Sequence, residues 1–564
     1  MLHFIDFEVF KYDWLCVIVN PLNNEETVIV NDEEALKDYY EKYKKEIFVG
    51  YNIRQYDQFI MKALLIGLDP KRVNDKIIKE NKKGFEISNL FNKVPLLFYD
   101  VMTSMHSLKT LEAFMGHNIH ETSVNFEIDR KLTDEEIQET IKYCKNDVYE
   151  TINVFIKRFE EFQALSSLIT AFNMPLSYIS KTKAQLSAII LNCTKVDRND
   201  EWDLYALDTI KLNRYHYIKD WFLNKDNQDY EKSLEVIIAG VEHKFAWGGL
   251  HGAIPMYHSK GNIYHVDVES FYPAIMIEYN LLSRNVANPA KYKEIRDKRI
   301  IFKHDKNPLE KPYKIVLNGT YGICKDKYSA AYDPRNANLV CINGQLLLLD
   351  LIEKMEKIKG FKLIQSNTDG LIIEIGDGQY DTLKAVCNEW QSRTRMGLAF
   401  DEIDEIWQKD VNNYIFRFKD GKYERKGSWV KKNTELDNDM PILNTAIVKA
   451  LTEKIPVNVT INNCTDLTQF QKIVKVSSKY NNGWHNGEVL NDKTYRVYAS
   501  KDINDTYIGK QKSAGATIEK FANTPENCFI INTDITGLEI PKKLDRQWYI
   551  KEANERLAAF VKVA

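Results

Sequence analysis

Three short stretches occur in a fixed order in the second half of the chain: Asp267-Val-Glu-Ser-Phe-Tyr-Pro273, Lys314-x-x-x-Asn318-x-x-Tyr321-Gly322 and Ser366-Asn-Thr-Asp369-Gly370. The first predicts a strand that ends at a carboxylate, followed by a helix with a proline in its first turn. The second predicts a helix whose polar residues, spaced by four and three positions, share one stripe. The third predicts two strands around a tight turn that carries a second carboxylate. Two such carboxylates suit a pair of divalent cations.

The bulk composition is that of a globular protein with several domains. The chain has 564 residues, of which 44% are hydrophobic and 12% aromatic, and its formal net charge is −3. This length favours three or four domains. Because the net charge is close to zero, any surface that binds a polyanion must be built locally, and basic residues do cluster at 291–303 and 417–432. A solvated helix or hairpin face is the simpler alternative for either cluster.

The sequence predicts a reducing compartment and no membrane partner. The eight cysteines include no Cys-x-x-Cys pair, which argues against a zinc or iron–sulfur module and against a disulfide framework. The N-terminus lacks the features of a secretory signal, and no apolar run approaches the length of a membrane span. We therefore expect a cytoplasmic location, in the host cytoplasm if the protein is viral.

A second set of carboxylates lies in the first 150 residues. Residues 2–9 alternate as a strand, with Asp6 and Glu8 on one face. Further along are Asn52-x-x-x-Tyr56-Asp57, before a helix-like apolar run, and Tyr143-x-x-x-Asp147, whose two ends lie one helical turn apart. A strand with two solvent-facing acids is the simpler alternative for Asp6 and Glu8 alone. The carboxylates of these groups together suit the binding of divalent cations.

Other local patterns predict how these motifs are connected. Thr133-x-x-Glu136 predicts a capping box that opens the helix carrying Tyr143. Residues 160–245 are mostly amphipathic and predict a helical connector. Asp420-Gly421 predicts a hairpin turn before a basic strand.

In this order and spacing, the motifs resemble those of the family B DNA polymerases of the compact bacteriophage type, with a DEDDy 3′→5′ exonuclease. The resemblance covers residues 1–430. It implies an α/β and α+β multidomain fold, with an RNase H-like exonuclease domain and a right-hand polymerase of palm, fingers and thumb. The implied domains are the exonuclease (1–160), the connector and first part of the palm (161–283), the fingers (284–325), the palm (326–432) and the thumb (433–564).

The same resemblance implies the function. The chain is expected to be a DNA-dependent DNA polymerase that extends a primer 3′-hydroxyl with dNTPs, proofreads 3′→5′ and replicates a phage genome. Primer–template DNA and dNTPs are the implied partners, two Mg²⁺ ions are expected in each site with Mn²⁺ as a substitute, and a monomer is expected. Only 47 residues separate Asp267 from Lys314, and 48 separate Tyr321 from Asp369. Because the protein-primed relatives carry insertions in both intervals, an ordinary primer is expected here.

For the exonuclease, the resemblance implies a residue-by-residue assignment. Four carboxylates would hold the metal ions, one tyrosine would orient the attacking water and one asparagine would contact DNA: Asp6, Glu8, Asp57 and Asp147, then Tyr143, then Asn52.

For the polymerase site, the resemblance implies three further sets. The metal ligands are Asp267, Val268 and Asp369; the nucleotide-binding residues are Tyr272, Arg299, Lys303, Lys314, Asn318 and Tyr321; the DNA-binding residues are Gly248, Gly249, Tyr414, Lys422, Arg425 and Lys426. Tyr272 matches a steric gate against ribose, and Lys314 is a hypothetical proton donor to the leaving pyrophosphate. Lys493-Thr-Tyr495 matches a primer-gripping string but lies 124 residues beyond Asp369, so we expect it to be a decoy.

The third motif departs from the family pattern at two positions. The usual Asp-Thr-Asp-Ser is Asn367-Thr-Asp369-Gly370 here, so one carboxylate is replaced by an amide that carries no charge. We expect activity to survive, with weaker metal affinity and a preference for Mn²⁺ over Mg²⁺. Two alternatives stay open. One is a 3′→5′ exonuclease with an attenuated polymerase site, and the other is a non-enzymatic DNA-binding protein.

Overall fold

The computed structural model describes residues 1–513 and 515–560, and its architecture is a mixed α/β one with several sheets. The chain divides into two compact units. The first unit comprises Met1–Ser180, Asn433–Ile442 and Thr460–Ile550; the second comprises Lys181–Lys432, Leu443–Val459 and residues 551–560. The segment predicted as a thumb, 433–564, thus contributes to both units, and the predicted domain boundaries stay predictions.

Residues 1–180 form a five-stranded sheet with helices around it. The elements are β1 (Leu2–Val9), β2 (Trp14–Asn20), β3 (Glu25–Val30), α1 (Glu33–Tyr43), β4 (Ile47–Gly50), α2 (Asp57–Leu65), α3 (Pro70–Ile78), α4 (Gly84–Ile87), β5 (Phe98–Asp100), α5 (Leu108–Met115), α6 (Asp134–Lys157) and α7 (Phe159–Ala171). The strand order is β3-β2-β1-β4-β5; β1 is antiparallel to β2 and parallel to β4. The predicted strand at 2–9 is confirmed.

The central strand β1 separates its residues by face. Ile5, Phe7 and Val9 enter a hydrophobic core that includes β2 and α2. Phe4 lies on the opposite face and packs edge-on against Phe155 of α6, with ring centroids 5.3 Å apart. Because side chains alternate along a strand, the carboxylates that follow Phe4 at every second position face α6 as well.

Helix α6 begins as its sequence predicts. The Thr133 hydroxyl accepts a hydrogen bond from the Glu136 N–H, and the Glu136 carboxylate accepts one from the Thr133 N–H. This capping box satisfies two of the helix's first amide donors and fixes where the helix starts. Where the helix starts decides which of its residues face the sheet, and Cys144 and Val148 lie on its buried side.

Residues 181–432 form a nine-stranded antiparallel sheet with long helices. The elements are α8 (Lys183–Ile190), α9 (His216–Leu223), β6 (Ser233–Ile238), β7 (Val241–Ala246), β8 (Gly249–Ala253), β9 (Tyr257–Val268), α10 (Phe271–Glu278), α11 (Pro289–His304), α12 (Glu310–Lys325), α13 (Pro334–Met355), β10 (Lys362–Ser366), β11 (Gly370–Glu374), α14 (Tyr380–Thr394), β12 (Leu398–Asp410), β13 (Asn413–Phe418) and β14 (Tyr423–Lys426). The strand order is β14-β13-β12-β9-β11-β10-β8-β7-β6. The predicted strands and helices around the three opening motifs, and the hairpin at Asp420-Gly421, are confirmed.

The prediction of a mostly helical connector at 160–245 is wrong in its second half. No helix or ladder strand lies between Ile190 and His216, and residues 233–246 form the β6–β7 hairpin at the edge of the large sheet. The reason is a two-residue period in β7, where Val241, His243 and Phe245 are buried and the residues between them are exposed. Pattern alone did not separate this short alternation from a helix.

Residues 433–560 form small sheets and three helices. The elements are α15 (Pro441–Thr452), α16 (Val457–Asn462), β15 (Lys472–Lys475), β16 (Asn482–His485), β17 (Glu488–Leu490), β18 (Thr494–Ala499), β19 (Gly509–Gln511), β20 (Glu519–Lys520), β21 (Cys528–Ile530) and α17 (Arg546–Ala558). In the first unit, the buried guanidinium of Arg496 on β18 donates to the carbonyls of Ala113, at 3.1 Å, and His117, at 2.8 Å. Arg496 thereby ties these strands to the end of α5. None of the described helices combines the length and apolarity needed to cross a membrane.

Candidate active sites

The first unit contains a buried carboxylate cluster, which we define as Asp6, Glu8, Asp57 and Asp147. Strand β1 presents Asp6 and Glu8, and Asp57 is the first residue of α2. Glu8 is 8% exposed and Asp57 3% exposed. The Oδ1 atom of Asp57 is buried and has no hydrogen-bond partner. The sequence analysis predicted this grouping, and the structure brings the four residues together.

Burial and mutual repulsion dominate the electrostatics of this first-unit cluster. Burial, and then the charge of Asp147, raise the pKa of Asp6 to about 7. Burial, and then the charge of Asp6, raise the pKa of Glu8 well above its ordinary value. Burial and Asp6 also raise the pKa of Asp57. Buried oxygen donors with an unsatisfied carboxylate atom fit a hard divalent cation, which would remove this penalty.

Lys109 belongs to this site and was missed by the sequence analysis. Its Nζ donates to Asp147 Oδ1 at 2.7 Å and to Glu112 Oε2 at 3.0 Å, and it lies 4.8 Å from the centroid of the Tyr143 ring. Burial alone would lower the pKa of Lys109, but Asp147 and Glu112 outweigh it and raise that pKa. The signal available in the sequence was a Lys and a Glu three residues apart within the otherwise apolar helix α5.

Tyr143 lies beside the carboxylates of this cluster, and Asn52 lies in the loop that leads into α2. Burial, and then Asp147, raise the pKa of Tyr143, so its hydroxyl stays protonated. Asn52 has a left-handed backbone with φ of 64° and donates its N–H to Asp100 Oδ1 at 2.9 Å. Asp100 also accepts from the N–H groups of Arg54 and Met102, at 3.1 and 2.9 Å. The buried Asp100, which the sequence analysis did not single out, therefore shapes the loop that leads into α2.

The second unit contains an open carboxylate pair, which we define as Asp267 and Asp369. In the sheet, Asp267 pairs with Gly370, and the Val268 N–H donates to the Asp369 carbonyl at 2.8 Å. The predicted meeting of these two motifs is therefore observed in the backbone. Burial, and then the charge of Asp369, raise the pKa of Asp267 to about 7. Further contributions to that pKa come from carboxylates that were not predicted: Asp401, Glu269 and Glu424.

The two departures from the family pattern have visible structural roles. The Oδ1 atom of Asn367 accepts from the N–H groups of Asp369, at 3.2 Å, and Gly370, at 2.9 Å. A Cβ at Gly370 would stand 3.0 Å from Asp267 Oδ1 and 3.1 Å from His265 Nε2. The amide thus holds the turn, and the glycine leaves room for two side chains of β9.

The predicted nucleotide-binding tyrosines lie together where α10 and α12 approach α13. The rings of Tyr272 and Tyr321 are 4.5 Å apart, and neither buried hydroxyl has a hydrogen-bond partner. A Cβ at Gly344 of α13 would stand 3.1 Å from the Tyr272 ring, so the backbone of α13 packs closely there. Lys314 and Asn318 are exposed on α12. These residues could border a nucleotide.

Of the two basic residues predicted to bind phosphate on α11, Arg299 is hydrogen-bonded within the protein and Lys303 is exposed. Arg299 donates from Nε to Glu310 Oε1 at 3.0 Å and from Nη1 to Ser270 Oγ at 3.0 Å. Lys303 is exposed one turn further along the helix. Glu310, which was not predicted, therefore competes with any phosphate for Arg299.

The predicted DNA-binding residues fall into exposed and buried groups. A Cβ at Gly249 would stand 3.1 Å from the Thr368 hydroxyl, which places this element beside the turn that carries Asp369, and Gly248 is exposed. On the β13–β14 hairpin, Lys422 and Lys426 are exposed and Arg425 is half-buried. Tyr414 is 3% exposed and its ring stacks on Phe416, with centroids 4.8 Å apart. The structure places Tyr414 in the core of the sheet, and its contact with DNA stays a prediction.

Comparisons with known proteins give a partial similarity. No family model matches the chain. Over 207 residues, 35% of this chain, the sequence is 24% identical to DNA polymerase 1 of Sulfolobus acidocaldarius, and the match spans 22% of that protein's length. The solved structure of the family B DNA polymerase from the hyperthermophilic archaeon Pyrobaculum calidifontis is similar over 100% of this chain and 78% of its own, with 14% identity and a TM-score of 0.43.

Proposed function

We propose that the chain is a DNA-directed DNA polymerase of family B with a 3′→5′ exonuclease, extending primers at the second-unit pair and shortening them at the first-unit cluster. The observation that carries the proposal is the pairing of Asp267 with Gly370 in adjacent antiparallel strands. That pairing sets the carboxylates of two distant motifs beside each other. The similarity of part of the sequence to a DNA polymerase supports the same activity.

For extension, the chain supplies ligands, counter-charges and shape. Asp267 and Asp369, with Val268 beside them, would hold a pair of Mg²⁺ ions, which when bound would activate the primer 3′-hydroxyl and neutralise the triphosphate. The exposed Lys303 and Lys314 would bind the phosphates. The paired rings of Tyr272 and Tyr321 would form the floor below the base and exclude a ribose 2′-hydroxyl. In the same scheme Lys314 would protonate the leaving pyrophosphate.

For shortening, the first-unit cluster supplies a metal-binding group sheltered from solvent. The unpartnered Asp57 Oδ1 and the three neighbouring carboxylates would hold a second pair of divalent ions. Tyr143, whose hydroxyl keeps its proton, would orient the attacking water by a hydrogen bond. Asn52, in the loop held by Asp100, would contact the 3′-terminal nucleotides.

The partners follow from this scheme. The exposed lysines of the β13–β14 hairpin would contact duplex phosphates, which makes the affinity for primer–template DNA dependent on salt. We further propose a compact phage-type enzyme that acts as a monomer. The short intervals on either side of α12 support its extending an ordinary primer.

A primer-extension gel tests both activities together. A 5′-labelled primer–template is incubated with Mg²⁺ or Mn²⁺, with and without the four dNTPs. We expect extension when dNTPs are present and shortening when they are absent. Shortening under every condition would leave an exonuclease with an attenuated polymerase site, and would direct attention to Asn367. No change of the primer under any condition would refute the proposal.

A further inference from the structure

Resting on the exonuclease activity proposed above, we infer that Cys144 makes the first-unit cluster a binding site for a thiophilic divalent cation, Zn²⁺ in the cell and Cd²⁺ as a probe, and that this ion silences shortening while extension continues.

The geometry of Cys144 carries the inference. Ligand atoms of Asp6, Glu8 and Cys144 all lie within 4.8 Å of one another, and no other three such donors are this close in the described part of the chain. The Cys144 thiol lies 3.6 Å from the Asp6 carbonyl oxygen and 3.8 Å from Asp6 Oδ2. Cys144 is fully buried in α6 on the face that looks toward β1. A sulfur atom therefore stands among the oxygens that would hold the metal.

A second, independent observation points to a ligand at this place. Asp57 is 3% exposed, and its Oδ1 has no hydrogen-bond partner. The charge that acts most strongly on Asp57 is that of Asp6, another carboxylate. An unpaired carboxylate oxygen at this depth is costly unless a cation completes it. Asp147, by contrast, already pairs with Lys109 at 2.7 Å. The donors left for an ion are thus three carboxylates, those of Asp6, Glu8 and Asp57, and one thiol.

This donor set selects a class of metal. Thiolate ligands favour Zn²⁺ and Cd²⁺, whereas Mg²⁺ prefers oxygen donors and near-octahedral geometry. On binding, the ion replaces the thiol proton, which passes to solvent, and a sulfur–metal bond forms without any change of oxidation state. A four-coordinate ion closed by protein ligands has no open position for water. Shortening should therefore stop when Zn²⁺ replaces Mg²⁺.

The second-unit pair provides the internal contrast. Asp267 and Asp369 belong to no group of three close His, Cys, Asp or Glu donors among the described residues. Among the described residues the nearby donors are carboxylate oxygens and the His265 Nε2 nitrogen, so the sulfur bond that favours Zn²⁺ in the first unit is missing. A low Zn²⁺ concentration is thus expected to shift the enzyme from shortening towards net extension.

Cadmium titration of the metal-free full-length chain tests the inference directly. Binding is followed by the ultraviolet sulfur-to-cadmium charge-transfer band, which requires no enzymatic turnover. We expect the band in the wild type, and its loss in Cys144→Ala with Cd²⁺ affinity at the first-unit cluster reduced by about tenfold or more. The matched control is Cys387→Ala, which removes an equally buried cysteine from α14 and should keep the band. Cys144→Ser, which keeps a polar group of similar size, serves if the alanine variant fails to fold.

Zinc inhibition of primer shortening gives the second readout. In Mg²⁺ without dNTPs, the Zn²⁺ concentration that halves each protein's own shortening rate should be about tenfold higher for Cys144→Ala than for Cys387→Ala. A charge-transfer band that persists in Cys144→Ala, or no band in the wild type, overturns the inference. A wild type that shows the band but never shortens DNA in Mg²⁺ instead overturns the proposed exonuclease.

Discussion

The two carboxylate sites solve the same electrostatic problem in opposite ways. In the first-unit cluster, Glu8 and Asp57 are buried, and an internal cation, Lys109, compensates part of the charge. In the second-unit pair, Asp369 is exposed, and the surrounding acids Asp401, Glu269 and Glu424 are exposed as well. Burial raises the pKa of Asp6 in the first unit and of Asp267 in the second to about 7. The remaining negative charge is compensated by Lys109 in the first-unit cluster and by solvent at the second-unit pair.

The difference teaches what each site depends on. A buried cluster with a fixed internal cation is preorganised, so its integrity is coupled to the stability of the surrounding fold. An open pair is screened by water and loses little when it is empty. We therefore expect substitutions in the first unit to affect both stability and activity, and those in the second unit to affect activity alone.

The largest expected effect is the loss of one activity, with the other unchanged, when one carboxylate of a site is replaced. Asp267→Ala should reduce extension by ~10³-fold or more, because a metal ligand supplies several kcal/mol of charge stabilisation, while shortening stays at the wild-type rate. Asp6→Ala should do the reverse. Both rates are measured on the same 5′-labelled primer–template. If either substitution abolished both activities equally, the assignment of one activity to each unit would be wrong.

Removal of the internal cation tests the coupling between site and stability. Lys109→Met leaves Asp147 and Glu112 without their partner, so the free energy of opening of α5 and α6 should fall by ~3–5 kcal/mol. Amide hydrogen exchange of these two helices measures that quantity. The matched control is Lys145→Met on α6, which removes an ion pair to Glu26 that is about one third exposed and should cost less than about 1 kcal/mol.

A second substitution in the Lys109→Met background should restore part of the stability of α5 and α6. Burial raises the pKa of Glu112 to about 8, so its charge is present mainly above that pH. Glu112→Gln in the Lys109→Met background should therefore recover part of the lost protection above a pH of about 8, and less of it below. Equal protection of α5 and α6 in Lys109→Met and Lys145→Met would show that the lysine does not compensate the first-unit cluster.

A smaller effect distinguishes the sites by their dependence on pH. Because its pKa is raised to about 7, Asp267 must lose a proton to bind metal, so Mn²⁺ affinity at the second-unit pair should fall about tenfold for each pH unit below 7 and level off above it. In the first-unit cluster the pKa values of Glu8 and Asp57 are raised too, so metal binding displaces more protons and the affinity should change more steeply with pH.

In the metal-free protein these raised pKa values place extra protons on the folded state, so the free energy of unfolding should fall as the pH rises from about 4 to about 7.

Two double variants isolate the sites for this measurement. Asp6→Asn/Glu8→Gln leaves the second-unit pair, and Asp267→Asn/Asp369→Asn leaves the first-unit cluster. Free Mn²⁺ is followed by electron paramagnetic resonance at pH values of about 6, 7 and 8, which bracket the titration. Identical slopes in the two variants would contradict the contrast between a buried and an open site.

The sequence predicted which carboxylates come together in each unit better than it predicted their surroundings. Strand alternation and helical spacing place Asp6 with Glu8, and Tyr143 with Asp147, because those relations are local. Lys109, Asp100 and Asp401 were missed because each reaches the site through residues distant in sequence, and no local pattern encodes such contacts. The only local signal for them was the pair of Lys109 with Glu112 in α5. The β6–β7 hairpin was missed for another reason, since its two-residue alternation is too short to overrule a helical reading of the longer segment.

The smallest expected effect concerns the amide in the second-unit turn. Asn367 accepts hydrogen bonds from the N–H groups of Asp369 and Gly370, and an aspartate could accept both in the same geometry. Asn367→Asp should therefore preserve the turn, add charge near the metals and raise the apparent Mg²⁺ affinity of extension by about two- to tenfold, with a smaller gain in Mn²⁺. Asn367→Ala is the control, because it removes both hydrogen bonds and adds no charge, and it should reduce extension in both metals. Equal Mg²⁺ dependence in wild type and Asn367→Asp would mean that position 367 acts only by holding the turn, and that the preference for Mn²⁺ expected from the sequence is absent.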